Sequence, residues 1–380
     1  MLTARLRWLR IVVPVAFICG MLMSPHLWFD PGRSFPRAPI VPSLTLHQDF
    51  VISIAIVITL ILSAITVHAR RYLVASVLLT IALVVLDQTR LQPWVYQYAI
   101  MLASLVFVLR GAVNQKAILA ANQIVIASLY FWSGLQKVSW TFVNEVVPTL
   151  VESAGIRVSS KYLTTIAIAI AICEALIGVG LLLRRTRRVA VVLACLMHAI
   201  ILVTLIAARL NTVVWPWNVA MLAITVILFW RNDETPFEYL LRGRRDYLPK
   251  AAMLICGLLP SLSFIGAWDL YLAGALYSGK SPVGVMRISE TLRDRLPATA
   301  REITFRTGRG ELMLPFYDWS LAELNVPPYP EVRVYRQLAR QLCALDGDSQ
   351  ANALIVKGRP ALSDGSYKVT LTTCSDLLSQ

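Results

Sequence analysis

Nine apolar blocks, set off by basic and turn-forming residues, decide what this chain can become. Their approximate limits are Ile11–Phe29, Phe50–His68, Tyr72–Leu86, Trp94–Leu109, Ala117–Val138, Tyr162–Leu183, Val189–Ala208, Trp215–Trp230 and Ala251–Trp268. About 20 apolar residues cross the hydrocarbon core as a helix, and in lipid each backbone polar group must be bonded within its own structure. The pattern predicts an all-α polytopic membrane protein of about nine transmembrane helices. Tyr72–Leu86 and Trp94–Leu109 are short and should run into their flanks. Composition agrees: 57% of residues are hydrophobic and 15% charged, where a soluble domain carries about a quarter.

The net charge of +14 raises nucleic acid as a partner. The basic residues punctuate the apolar blocks instead of forming one stripe, so the bilayer is the partner and nucleic acid is excluded. With nine crossings and a cytoplasmic N-terminus, sixteen Lys and Arg fall in cytoplasmic loops and six in short outer loops. That asymmetry predicts a plasma-membrane protein with its C-terminal domain outside. Trp28, Trp94, Trp140, Trp215 and Trp268 fall at outer ends, and Trp8 and Trp230 at inner ends, as interfacial belts. Arg5, Arg7 and Arg10 ahead of the first block resemble a signal peptide, but no A-x-A-like site follows, which predicts an uncleaved first helix.

The organisation is then residues 1–49 as a first helix and outer loop, 50–268 as the membrane domain and 269–380 as an extracytoplasmic α+β cap. In the cap, Leu270–Tyr277 and Val283–Ile288 flank a Ser278–Pro282 hairpin signal. Ser289–Leu296 and Glu331–Leu345 read as amphipathic helices, Asp318 as the cap of a short helix, and Ala353–Val356 and Tyr367–Thr372 as strands. Cys343 and Cys374 are either bonded or reduced; both readings stand. No CxxC occurs, and the four histidines show no metal spacing, so no metal site is predicted.

The candidate site centres on Tyr130–Lys137, YFWSGLQK. Gln123, Tyr130 and Lys137 are seven apart and share one helical stripe. Gly134 lets a helix or a flat ligand come close. By residue count Lys137 sits near the outer surface, either as a snorkelling anchor or as a partly desolvated base facing a cavity. Glu174 and His198 flank the turn at residues 184–188 by ten residues each. Both should lie about 15 Å above the cytoplasmic face, paired with each other and about 10 Å or more below Lys137. Asp87, Arg90 and Trp94 would border the mouth above the lysine.

Tyr130, Phe131, Gly134 and Lys137 resemble a Tyr-Phe-x-x-Gly-x-x-Lys segment of the HTTM domain, the membrane domain of the vitamin K-dependent gamma-glutamyl carboxylase family. Leu86, Asp87 and Thr89 fit that family's Leu-Asp-x-Thr turn. The resemblance implies that Lys137 acts as a base toward a quinol-type ligand. Where the carboxylases have a histidine seven residues after the aspartate, this chain has Trp94, so the helper residue for carboxylation is not carried over. Residues 130–230, with Glu174, Gly178, Gly180 and a basic turn, are similar to a DoxX-type four-helix unit. Together the resemblances imply an isoprenoid quinone or other lipid as ligand. Two classes stay open: a quinone- or lipid-linked membrane enzyme, and a non-catalytic subunit or maturation factor whose cap docks an exported protein partner. A transporter ranks third, since no pair of broken helices is evident at mid-bilayer.

Overall fold

The computed structural model describes residues 4–41, 49–66, 68–107, 115–241, 247–346 and 351–379. Residues 108–109 of the fourth expected span, His47, Arg110, Arg242, Arg244 and Arg245 lie outside these.

The membrane part is built from α1 (Ala4–Met23), α2 (Asp49–Ile65), α3 (Ala69–Leu86), α4 (Pro93–Leu105), α5 (Gln115–Gln136), α6 (Val147–Ser153), α7 (Ser160–Leu182), α8 (Arg187–Ala207), α9 (Trp215–Phe229) and α10 (Tyr247–Ala252). α10 continues through a π turn at Met253–Leu258 and a 3-10 stretch at Leu259–Ile265. Among the described residues, seven segments are long and apolar enough to cross a membrane: α1, α3, α5, α7, α8, α9 with its leading turn, and Tyr247–Ile265. The other two expected spans are shorter as described. α2 has 17 residues and α4 has 13, about 25 and 20 Å at the usual rise. α1 passes straight through Pro14, and α3 recruits Ala69–Arg71 ahead of its apolar block.

α5 is the hub and is buried almost around its whole circumference. α7 and α8 turn one face outward. On α7 a narrow stripe through Ala167, Ala171, Glu174 and Gly178 is buried, and Ile166, Ile168, Ile170, Ile172 and Leu176 are exposed around the rest of the helix, surface that hydrocarbon covers in a bilayer.

The cap is a five-stranded antiparallel sheet with helices on one face. Its strands are β1 (Val283–Ile288), β2 (Phe305–Arg306), β3 (Leu312–Pro315), β4 (Ala353–Lys357) and β5 (Val369–Thr373), in the order β2-β3-β1-β4-β5. The helices are α11 (Glu290–Arg295), α12 (Ala298–Ile303), α13 (Phe316–Leu324), α14 (Val332–Asp346) and α15 (Cys374–Ser379). The expected hairpin at Ser278–Pro282 does not form. Leu270, Tyr271, Ala273 and Ala275 are buried without alternation, and the segment makes a 3-10 turn while β1 pairs with β3 and β4. Asp318 lies inside the first turn of α13, whose N-cap is Pro315. Ser289 caps α11 by accepting from Leu292 N. Cys343 and Cys374 are joined by a disulfide, which ties α14 to the end of β5.

The cap is stitched to the membrane part by side chains, not merely tethered. The Glu323 carboxylate accepts from Ser34 N, Phe35 N, Ser34 Oγ and Trp319 Nε1. Burial alone would raise its pKa, and these donors bring it below the usual value. Asn325 donates to Met23 O and Thr212 Oγ1, Gln92 to Pro327 O, and Arg333 to Gln88 and Asp269.

Candidate functional site

The site is organised by the crossing of α5 and α7. A Cβ added at Gly134 would stand 2.3 Å from Ala175 N and 2.6 Å from Ala171 O. One at Gly178 would stand 2.5 Å from Phe131 N and 2.6 Å from Ala127 O. The two glycines are reciprocal, so the helices meet backbone to backbone, the packing that small residues give inside membranes. Gly134 therefore admits a neighbouring helix, not a flat ligand.

That contact sets the depth of Lys137, which follows the last residue of α5. Its Nζ donates to Glu174 Oε2 at 2.7 Å, to Ser133 Oγ at 2.7 Å and to Ser133 O at 3.3 Å. An ammonium has three donors, and here all three are used. Lys137 is 9% exposed and Glu174 6%. Glu174 stands 14 residues, or about 21 Å, from the cap-side end of α7 and about 12 Å from the other end. The lysine thus lies level with the middle of α7, at the end of α5 whose Gln136 accepts from Lys280 of the cap; residue counting placed it at the outer surface or one or two turns below.

The expected Glu174–His198 pair is not made. His198 Nδ1 lies 2.8 Å from Asn218 Oδ1, and its Nε2 lies 2.8 Å from Tyr130 Oη. Asn218 Nδ2 is committed to Val214 O, so its oxygen must accept, which assigns the proton of the neutral imidazole to Nδ1. Nε2 then accepts from Tyr130, whose oxygen can in turn accept from Thr225 Oγ1 at 3.0 Å. These bonds form one chain joining α5, α8 and α9.

The remaining sequence candidates do not line one cavity with Lys137. Gln123 donates to Leu228 O on α9 at 3.1 Å. Asp87 accepts from Arg33 Nη2 at 2.5 Å and from the Ala38 and Thr89 N–H groups at 3.1 Å each. Burial pushes the Asp87 carboxyl up, but Arg33 and Arg90 outweigh it and hold it low. Arg90 donates to Leu27 O and, at 2.7 Å, to Asp49. Trp94 packs edge-on against Phe17 and beside Trp28 and Tyr98, and it fills the space that a side chain at Gly20 would need. These three residues are a buried clasp and a core ring, not a mouth.

Sequence reasoning named Ser133 only as a small residue beside the lysine, not as its partner, and it missed Asn218, Thr225, Arg33 and Asp49 as members of these clusters. Asn218 and Thr225 had a readable signal. They are seven apart in an apolar helix, the same stripe spacing as Gln123, Tyr130 and Lys137. A second buried amine lies beside the site on the cap side. Lys280 is 5% exposed, donates to Gln136 Oε1 at 3.1 Å and sits 4.5 Å from the Phe264 ring. Gln136 donates on to Ser263 Oγ at 2.7 Å. Burial pushes the Lys280 amine down to about 8.

Two clefts occur nearby, and neither is lined by Lys137. One, of about 30 Å³, is lined by Tyr96, Ser128, Trp132, Cys256 and Tyr271 among others; the second is an apolar groove along Val191, Cys195, Val226 and Trp230. Among the described residues no three His, Cys, Asp or Glu side chains converge as a metal site requires. Compared with known proteins, the chain matches no family model, no curated sequence and no solved structure.

Proposed function

We propose that this protein is a membrane-embedded enzyme acting on a lipid-soluble substrate of the isoprenoid quinone or related lipid class. Lys137 is the base once its proton has passed to the Glu174 carboxylate, Glu174 is again the counter-charge when the ammonium re-forms, and Ser133 is the group that aims Nζ. One observation carries the reading: an ion pair 2.7 Å long, buried at mid-helix, on a contact that Gly134 and Gly178 already secure. A buried pair seldom adds net stability, because desolvation cancels its attraction, and an intramembrane charge marks function by default. Packing does not need this pair, so chemistry is its better explanation. The resemblance of Tyr130–Lys137 to the HTTM lysine segment supports the same role. The basic residues of the loops, together with the Cys343–Cys374 disulfide, support an extracytoplasmic cap. A docking subunit has less behind it, since Glu323, Asn325 and Arg333 of the cap are spent on the membrane part.

The test uses the purified full chain in nanodiscs with a short-chain ubiquinone as probe, read by tryptophan quenching. Wild type should bind it, and Lys137→Met/Glu174→Met should keep its melting profile and lose binding. Cells that need the protein and grow normally on that double variant would overturn the proposal.

A further inference from the structure

The sheet of the cap is covered on one face only. Met286, Leu314, Leu354 and Val356 point to the helices and are buried. The register places Phe305, Met313 and Arg287 in one row of the opposite face, Val285, Ile355 and Leu371 in the next, and Val283, Lys357 and Val369 in the last. Phe305 is 50% exposed, and Val369 and Leu371 are each 54% exposed. Toward β5 this face is open and largely apolar; Arg287 and Lys357 interrupt it, and Ala353, in the row of Arg287, is buried.

Its border at β5 is equally open. Gly358 N donates to Lys368 O, and Cys374 N to Asn352 O. In an antiparallel ladder alternate residues bond inward. So Thr370 and Thr372 face β4, while the N–H and C=O groups of Val369, Leu371 and Thr373 point to the free edge. Natural edge strands are usually blunted by charge, proline or a bulge. β5 reads VTLTT and has none of these, and the Cys343–Cys374 disulfide holds its end.

We infer that β5 pairs antiparallel with β5 of a second copy of this chain, centred on Leu371, to give one continuous ten-stranded sheet. Free backbone donors and acceptors call for an extended polypeptide, which a lipid cannot supply. Charge selects the second copy. Exposed Lys368 precedes the strand and exposed Asp376 follows it, so antiparallel self-pairing sets each lysine near the other copy's aspartate. The symmetry also fits a membrane. Arg333 and Gln341 of α14 reach Gln88 and Arg37 O of the membrane part, while Tyr335, across the helix from Arg333, lies against Gly284 of β1. The sheet therefore stacks above the membrane part. A two-fold axis through its plane runs across the bilayer, as two copies with one topology require.

The test is oligomeric state of the full chain in nanodiscs and mild detergent, read by light scattering and cross-linking. Wild type should be a dimer. Leu371→Cys should cross-link to itself, because a hydrogen-bonded antiparallel pair lies about 5.5 Å apart at Cα, within disulfide reach. Leu371→Pro removes an outward N–H without touching the β4 ladder, and should be monomeric with an unchanged melt. Lys368→Glu should weaken the dimer at least tenfold, and Lys368→Glu/Asp376→Lys should restore it. A wild-type monomer, a Leu371→Cys protein that never cross-links, or a different chain or lipid on the face of a monomer would each overturn the inference.

Discussion

Two buried charge clusters in this molecule look alike in sequence and differ in construction. In the clasp, Asp87 gathers Arg33 and two backbone N–H groups, and Arg90 joins Asp49 to the Leu27 carbonyl. Together with the Arg37–Asp49 pair, it joins the chain at Leu27–Ala38, at Asp49 and at Asp87–Arg90. At the α5–α7 crossing, Lys137 and Glu174 face one another on a helix pair already locked by glycines. The clasp is architecture, because removing any member strands the others. The inner pair is surplus to architecture, which is why it is the better candidate for chemistry. Burial of charge does not distinguish the two; the dependence of the surrounding backbone on that charge does.

Substitution can break this contrast. The largest effect should come from Asp87→Ala, which leaves buried Arg33 without its anion, while Arg90 keeps Asp49, at a cost of about 3–5 kcal/mol. Thermal melts in detergent should show the loss, and Asp87→Ala/Arg33→Leu should not recover it, since the Ala38 and Thr89 N–H groups stay orphaned. The inner pair should behave otherwise. Lys137→Met alone should cost about 2–3 kcal/mol by stranding Glu174, while Lys137→Met/Glu174→Met should return to within about 1 kcal/mol of wild type. If the double variant melts as low as the single, the pair is architecture too and the contrast collapses.

The smallest effect concerns Lys280. Its folded value of about 8 lies below the unfolded reference of about 10.4, so folding disfavours the ammonium. The penalty is fully present below pH 8 and is relieved as pH rises toward about 10.4, because the unfolded chain binds more protons in that window. Wild type should therefore gain stability across it. Lys280→Met should be more stable at pH 7 and flatter with pH, as denaturant titrations at several pH values would show. An unchanged slope in the variant would mean that Lys280 is not desolvated as described.

The fold was legible where its signal is local. Apolar blocks read as spans because hydrocarbon dictates their length, and α14 and β4 read from period and propensity. β2 and β3 were missed; one has two residues and the other ends in Pro315. Of the site, the stripe of Gln123, Tyr130 and Lys137 was legible, and so were Glu174 and His198 as intramembrane polar groups. Their partners were not. Depth was counted from loop turns, which assumes that neighbouring helices start level. Gly134 and Gly178 fix a shift between α5 and α7, and that long-range contact brings Lys137 to Glu174 and leaves His198 to Tyr130. Arg33 could not be linked to Asp87 from sequence because 54 residues separate them.

The glycine crossing also governs traffic. Where two backbones touch, the wall has no window, and nothing can slip between α5 and α7 to arrive at the amine. The neighbouring flank is covered as well: Phe142 and Val147, in and just after the Phe142–Val146 turn, pack on Ala167 and Ala171, one helical turn before Glu174.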